Sequence, residues 1–224
     1  MANPDLRTSN CPLCENEADY FLNYKDKSGH RNYYKCKHCY SVHLATNEIL
    51  NAQEEILRYK MHNNDVEDER YQKFVSPITD SILQEQLNTA DGLDYGCGPG
   101  PVITYLLRKN GFKNIHLFDP YFYPQHKLLN KSYHFIICCE VIEHFSNPKK
   151  EFQLIKNLLK HEGKLYGKTE LLPDEIKAGD FQNWWYKNDP THCFFYSRKT
   201  LSYLTSTFGF SKLEMEDKFF ILSN

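Results

Sequence analysis

A chain of 224 residues has room for one full α/β domain and a small appendage. Hydrophobic residues at 41% and aromatics at 15% supply a sizeable core and exclude a disordered chain, while a formal charge of −2 excludes a general basic footprint for nucleic acid. No apolar run reaches the roughly 18 residues that a membrane-spanning helix needs.

The chain opens on MANPDLRTSNCPLC, which lacks the apolar segment of a signal peptide, so a cytoplasmic location is expected. In that compartment the eight cysteines are expected to bind metal or lie buried as thiols. Four of them form two C-x-x-C pairs, Cys11/Cys14 and Cys36/Cys39, with 21 residues between the pairs. Each pair places two thiolates on one turn, and two facing turns give a tetrahedral S4 site suited to structural Zn2+. The segment between them carries Tyr20, Phe21, Tyr24, Tyr33 and Tyr34 around DKSGH, a hairpin with too few apolar side chains to fold unaided. Bound metal supplies the missing stability. A redox pair would open a helix after a strand, and neither pair does. His38 and His43 lie close by, but four thiolates already saturate the ion.

Residues 1–45 are therefore expected to form a zinc ribbon, 46–90 linking helices and 91–224 the main domain. In the linker, Ile49, Leu50, Ile56 and Leu57 recur at helical spacing. The polar stretch HNNDVEDERYQKF then reads as a solvated loop and helix start, or as a cover in which His62, Asn63 or Tyr71 helps enclose a ligand. Ser76-Pro77 reads as an N-cap followed by Pro at the first helical position, with Ile78, Ile82, Leu83 and Leu87 buried behind it.

The segment GLDYGCGPGPVITYLLRKNG carries the most information. A short apolar strand, Leu93 to Tyr95, runs into a turn where Gly96, Gly98 and Gly100 alternate. A helix follows with Val102, Ile103, Leu106 and Leu107 on its buried face, and it stops at Asn110-Gly111. Glycines suit a tight turn whose backbone a ligand must approach. A carboxylate at Asp94, just before the loop, suits a ligand ammonium better than a pyrophosphate. The next strand, NIHLFDP, ends in Asp119, 19 residues beyond Gly100, where a carboxylate can accept both hydroxyls of a ribose. A ligand with ribose, an amino-acid ammonium and no phosphate is S-adenosylmethionine.

In this order, LDYGCGPGP, LFDP, FIICCEVIEHFSNP and LLKHEGKLYGKTEL resemble the motif set of class I S-adenosylmethionine-dependent methyltransferases over residues 91–210. The EVIEH variant is most similar to the branch containing ubiquinone-biosynthesis O-methyltransferases. The resemblance implies an α/β fold, a Rossmann-like, seven-stranded, mainly parallel sheet with helices on both faces and its last strand antiparallel. It also implies that Gly96, Gly98 and Gly100 line the methionine part, that Asp94 reaches the ammonium side, and that Asp119 holds the ribose. Tyr95, Pro120, Cys139 and Glu140 join this cofactor-binding set, with Cys138 and Cys139 approaching through their backbone and their thiols in the core. One stretch departs from the family. Only PYFYPQHKLLNK separates Asp119 from the strand at Tyr133, where relatives fit a helix and a third strand ending in an acidic residue. Either the sheet is trimmed at its third strand, or Phe122 and Tyr123 form a stacking wall.

Methyl transfer needs an acceptor held in line with the sulfonium and, for a hydroxyl, a route for its proton. Candidates at the strand ends are Glu140, Glu143 and His144 after FIICC, and His192 within NWWYKNDPTHCFFYS. In the resembling branch the Glu-x-x-Glu-His set is associated with a divalent cation, which implies Mg2+ or a similar hard ion at Glu140, Glu143 and His144. Against this stand a general-base role and a purely loop-ordering role for Glu143 and His144. His192 reads as the general base or as a ligand completing the metal site, against a histidine that only satisfies backbone groups. Trp184, Trp185 and Tyr186 read as an aromatic wall, which favours O-methylation of a small planar or apolar molecule. The alternatives are an RNA methyltransferase that grips RNA through the ribbon, where Lys25, Lys27, Arg31, Lys35 and Lys37 lie, and a non-catalytic cofactor-binding interaction protein. The last segment, to the C-terminus, reads as a helix to Phe208, a stop at Gly209 and a terminal strand.

Overall fold

The computed structural model describes residues 7–26, 29–61 and 65–224; His62 and Asn63, named above as covering residues, lie outside them. The first sheet is antiparallel: β1 (Thr8–Asn10), β2 (Glu17–Asp26), β3 (Gly29–Lys35) and β4 (Val42–Leu44) follow one another across its width. A register shift between Tyr20 and Leu22 bends β2 over β3. The fifth strand comes from far along the chain: β9 (Phe194–Phe195) pairs with β4 as Val42↔Phe195 and His43↔Phe194. Tyr33 of β3 then buries its ring against Phe181 and Phe195, with centroids 5.0 and 6.1 Å away. The hairpin of β2 and β3 therefore completes its core with side chains from far along the chain, which is how so short a hairpin finds enough apolar contact.

After a 3-10 turn at Thr46–Glu48, α1 (Ala52–Tyr59) starts at Asn51, whose side chain accepts from the N–H groups of Gln53 and Glu54 while Glu54 accepts from the Asn51 N–H. Helix α2 (Glu69–Glu85) starts at Asp68, which accepts from the Arg70 N–H at 2.9 Å. This corrects the N-cap expected at Ser76, because Pro77 lies inside the helix. An acidic cap upstream and an amphipathic run through Val75 and Ile78 carry the helix across the hydrogen bond that Pro77 cannot make. Ile78 and Ile82 are buried as expected, whereas Leu83 and Leu87 are exposed. Leu83 sits one position, about 100°, off the buried face, and Leu87 lies beyond the helix end.

The second sheet holds six strands among the described residues, in the order β10 (Lys212–Glu216), β11 (Phe219–Ser223), β8 (Leu159–Lys168), β7 (Tyr133–Cys139), β5 (Gly92–Tyr95) and β6 (Ile115–Phe118). Strands β6, β5, β7 and β8 pair in parallel, and β11 runs antiparallel between β8 and β10. The edge beyond β6 is trimmed: an isolated bridge between Asp119 and Tyr123 and a 3-10 turn at His126–Asn130 stand where the family resemblance implies a helix and a third strand. Alternate residues of β7 feed two cores. Phe135 and Ile137 pack with Val75, Ile78 and Ile82 of α2 and with Val102, Ile103 and Leu107 of α3 (Val102–Lys109). Ile136 and Cys138 face Phe152 and Ile155 of α4 (Pro148–Leu158), and Leu201 and Leu204 of α6 (Arg198–Thr207). Each fully buried side chain of this size contributes about 1.5–3 kcal/mol, so the sheet is sealed on both faces and its parallel strands end at one rim. A short α5 (Ala178–Asn183) lies against the ribbon sheet through Phe181.

Candidate functional site

Two knuckles hold the first four cysteines. Cys11 accepts at its carbonyl from the Glu15 N–H and donates its own N–H to Asn16 O, while Cys36 donates to Ser41 O, all at 2.9 Å. Each turn closes on a left-handed residue, Glu15 and Tyr40, both at φ 61°. The Sγ atoms of Cys11 and Cys39 are 3.5 Å apart, those of Cys14 and Cys36 are 3.4 Å apart, and all four lie within 4.8 Å of one another as free thiols. A tetrahedron with Zn–S bonds of about 2.3 Å has edges near 3.8 Å, so this donor set fits Zn2+. His43 is buried instead between the rings of Tyr34 and Phe194, and its Nδ1–H donates to Leu44 O.

The glycine loop leaves β5 through two left-handed residues, Gly96 at φ 74° and Gly98 at φ 60°. A Cβ at Gly96 would fall 2.7 Å from Val141 Cγ1, so only glycine fits there. Asp119, at the end of β6, accepts the Gly98 N–H at 3.1 Å with Oδ2, and the N–H groups of Tyr121 and Phe122 at 2.8 and 2.9 Å with Oδ1. One carboxylate thus ties the glycine loop to the turn carrying Pro120, a cradle whose polar groups fit a ribose-bearing ligand. Asp94 is buried behind the loop and accepts from Thr104 Oγ1 at 2.6 Å. Burial pushes its carboxyl up to about 6. Tyr95 points away, with its hydroxyl donating to Glu151 of α4 at 2.6 Å. Cys138 is buried, and burial raises both its thiol and that of Cys139 well above the ordinary range.

The third cluster forms at the rim of β7. Glu140 sits in the left-handed region at φ 54°, with its N–H donating to Lys168 O at 2.9 Å. A non-glycine residue there carries strain of about 1–2 kcal/mol. The 3-10 turn Ile142–His144 follows and buries Glu143 completely. The Glu143 carboxylate accepts from the hydroxyls of Tyr186 and Thr169, the latter at 3.0 Å. Tyr186 also donates to Glu140 at 3.1 Å. Burial pushes Glu140 up to about 7; burial first, and then the charge of Glu140, pushes Glu143 well above the usual carboxylate range.

Residues 189–193 bring the second histidine to the same place. His192 Nδ1–H donates to Tyr186 O at 2.7 Å, and His144 Nδ1–H donates to Thr191 O at 3.2 Å. The two rings meet edge to face, 4.8 Å between centroids, and one donor atom each of Glu143, His144 and His192 lies within 4.8 Å of the others. The loop is clamped from several sides. Cys193 N–H donates to Glu143 O at 3.0 Å, Arg58 of α1 donates to Asp189 at 2.7 and 3.0 Å, and Arg31 of β3 donates to Pro190 O at 2.9 Å. Tyr59 of α1 lies edge-on to His144 at 5.4 Å and near Tyr121 at 6.1 Å. Of the expected aromatic wall, Tyr186 is buried and Trp184 packs on it at 5.4 Å, while Trp185 is 62% exposed. The sequence offered no sign of Thr169, Arg58 or Tyr59 at this site and gave Arg31 a different role. No motif marks them, since they arrive from the end of β8, from α1 and from β3.

The fold is similar to that of several solved structures. They include an O-methyltransferase family protein from Burkholderia thailandensis (12% identity, TM-score 0.49, 90% of this chain and 79% of that one). Another is the YcgJ protein of Bacillus subtilis (16% identity, TM-score 0.47, 62% and 71%). A third is human N-acetylserotonin methyltransferase in complex with S-adenosylmethionine (13% identity, TM-score 0.44, 69% and 53%). The chain spans about half the length of some of them, 56% of LaPhzM and 53% of the human enzyme. No curated protein matches the sequence. The methyltransferase-domain family matches residues 68–215, well over half of the chain, and the chain belongs to that family.

Proposed function

We propose that the chain transfers the methyl group of S-adenosylmethionine to an oxygen of a small planar or apolar molecule, and that Glu143, His144 and His192 face that acceptor. The observation that carries this reading is the meeting of Glu143 and His144, from the rim of β7, with His192, from a distant loop. The cofactor supplies a methyl group already activated by the sulfonium charge, so the chain's own residues hold it and prepare the acceptor. Asp119 is assigned to the ribose and Asp94 to the ammonium side. The backbone at Gly96, Gly98 and Gly100, with Tyr95, Pro120, Cys139 and Glu140 around it, is assigned to the rest of the cofactor. On the acceptor side, a neutral His192 with its proton fixed on Nδ1 carries its lone pair on Nε2, the state that orients a hydroxyl and assists loss of its proton.

Within this reading residues 1–45 form a zinc ribbon, 46–90 link it, and 91–224 form a cytoplasmic methyltransferase domain of the ubiquinone-biosynthesis O-methyltransferase type. The RNA alternative has less support. Of the basic hairpin residues, Arg31 is buried on Pro190 O, Lys35 donates to Ile176 O at 2.8 Å, and Lys37 pairs with Asp19 at 2.6 Å. The test is acceptor-dependent release of S-adenosylhomocysteine across a panel of phenols and enols. His192→Ala is expected to lower turnover about 10²-fold with cofactor affinity retained, and Asp119→Ala to weaken the cofactor first. Equal loss of cofactor affinity in both variants contradicts this division of roles. Binding without turnover on any acceptor favours a non-catalytic cofactor-binding protein.

A further inference from the structure

We propose that α1 supplies a site for an ammonium group, with the Glu55 carboxylate as counter-charge and the rings of Tyr59 and Tyr121 as walls. The ligand class is a protonated arylalkylamine whose planar ring extends from this site toward His144 and His192. Its role as methyl acceptor rests on the methyltransferase reading above; the site itself rests on geometry.

Helix α1 turns charged side chains inward. Glu55, Arg58 and Tyr59, at spacings of three and four, stand on its half-buried face, while Leu57 is 65% exposed. A carboxylate on the inner face with a leucine outside reverses the usual order and costs desolvation, so it calls for partners. Arg58 has an ionic one, donating to Asp189 at 2.7 and 3.0 Å. Glu55 has a neutral one, the Tyr121 hydroxyl, which donates to Oε2. No Lys, Arg or His forms an ion pair with Glu55 among the described residues. Burial raises its carboxyl above the ordinary value, and what opposes the rise is the Tyr121 hydrogen bond rather than a cation.

The surroundings are aromatic and lie between the two proposed halves of the site. Tyr121 donates its N–H to Asp119 at 2.8 Å, and its ring is 6.1 Å from that of Tyr59, with the planes inclined by 34°. Tyr59 in turn meets His144 edge to face at 5.4 Å. On the other side Glu55 faces the loop at 189–193: after burial, its charge is the next cause holding the Cys193 thiol up at about 12. Tyr59, Tyr121 and His144 are all half-buried, so the rings keep open surface beside the carboxylate. An ammonium there gains both a carboxylate partner and ring faces within about 6 Å. A neutral phenol gains neither. Asp94 is a separate carboxylate, buried behind the glycine loop on Thr104 Oγ1, so the ammonium assigned to it and this one do not compete.

The experiment measures binding of tyramine and of its neutral isostere 4-propylphenol by calorimetry, with and without saturating S-adenosylhomocysteine. Wild type is expected to bind tyramine at least about 10-fold more tightly than 4-propylphenol. Glu55→Gln, which keeps an acceptor for the Tyr121 hydroxyl, should abolish that preference while affinities for 4-propylphenol and S-adenosylhomocysteine stay near wild type, the latter reporting an intact fold. Tyr59→Leu should weaken the preference, and Glu54→Gln, on the exposed face of α1, should preserve it. Equal affinities in wild type, no tyramine binding, or a preference that survives Glu55→Gln overturns the proposal. A preference of the expected kind without S-adenosylhomocysteine binding upholds the ammonium site and contradicts the methyltransferase reading alone.

Discussion

Asp94 and Glu140 are single residues whose chemistry is set by burial, and both carry predictions. The Asp94 carboxyl holds its proton more tightly folded, near 6, than unfolded, near 3.8. Its contribution to stability is therefore full below about pH 4 and is lost as pH rises through about 6. A shift of about two units corresponds to about 3 kcal/mol. Glu140, pushed up to about 7, adds to the same slope. Thermal unfolding of the ligand-free protein is expected to show a falling melting temperature from pH 5 to 7, and Asp94→Asn to flatten that fall; an unchanged slope removes Asp94 as its source. Under the proposed role, the ionised carboxylate attracts the cofactor ammonium. S-adenosylhomocysteine affinity should then drop between pH 7 and pH 5 in wild type and stay level in Asp94→Asn, as calorimetric titration can read. Sequence alone marked Asp94 and Asp119 because each ends an apolar strand beside the glycine loop. It gave no sign that Thr104 would claim Asp94, or that Asp119 would bridge three backbone N–H groups. Hydrogen bonds of that kind depend on loop geometry that no spacing encodes.

At the level of elements, the pairing of β4 with β9 makes the first sheet a support for the loop that carries His192. Leu44 N–H donates to Cys193 O at 2.9 Å, and Ser197 Oγ donates to Tyr40 O at 3.1 Å, so the segment carrying His192 is held against the knuckle of Cys36 and Cys39. Under the proposed zinc ribbon, stripping the metal with a chelator is expected to cut turnover by at least about 10-fold while S-adenosylhomocysteine affinity changes little, because among the described residues β5 and β6 make no strand pairing with the first sheet. Full turnover after complete zinc loss contradicts that coupling. A second test concerns the central sheet. A Cβ at Gly167 of β8 would meet the Phe220 ring at 2.1 Å. Gly167→Ala is therefore expected to destabilise the protein by about 1–3 kcal/mol in denaturant unfolding, and a neutral result would mean that β11 shifts freely. Strands with apolar runs and glycine stops, such as FIICC and GLDYG, were legible because their signals are local. The two-residue strand β9 was not, since its partner lies in the ribbon and only tertiary contact defines it. The start of α2 was misplaced for the opposite reason: Ser-Pro is a strong local signal that Asp68 and the amphipathic run outweigh.

For the whole molecule, the four-thiolate knuckles, the trimmed six-strand sheet and the helix pair α1–α2 converge on one rim. Arg58 of α1 and Arg31 of β3 reach the loop at 189–193, and Tyr59 spans from His144 to Tyr121 beside Asp119. Such convergence explains why a reading in three consecutive segments did not anticipate their joint use. The family motifs lie in one contiguous stretch, whereas the proposed acceptor side draws on all three segments. The measurement that tests this most directly is a crystal structure with S-adenosylhomocysteine bound. The expected result has the ribose on Asp119 and the sulfur facing Glu143, His144 and His192 across a gap that admits an acceptor oxygen about 3–3.5 Å from the transferred carbon. A ligand whose sulfur points away from that cluster, or a ribose that does not engage Asp119, would contradict it.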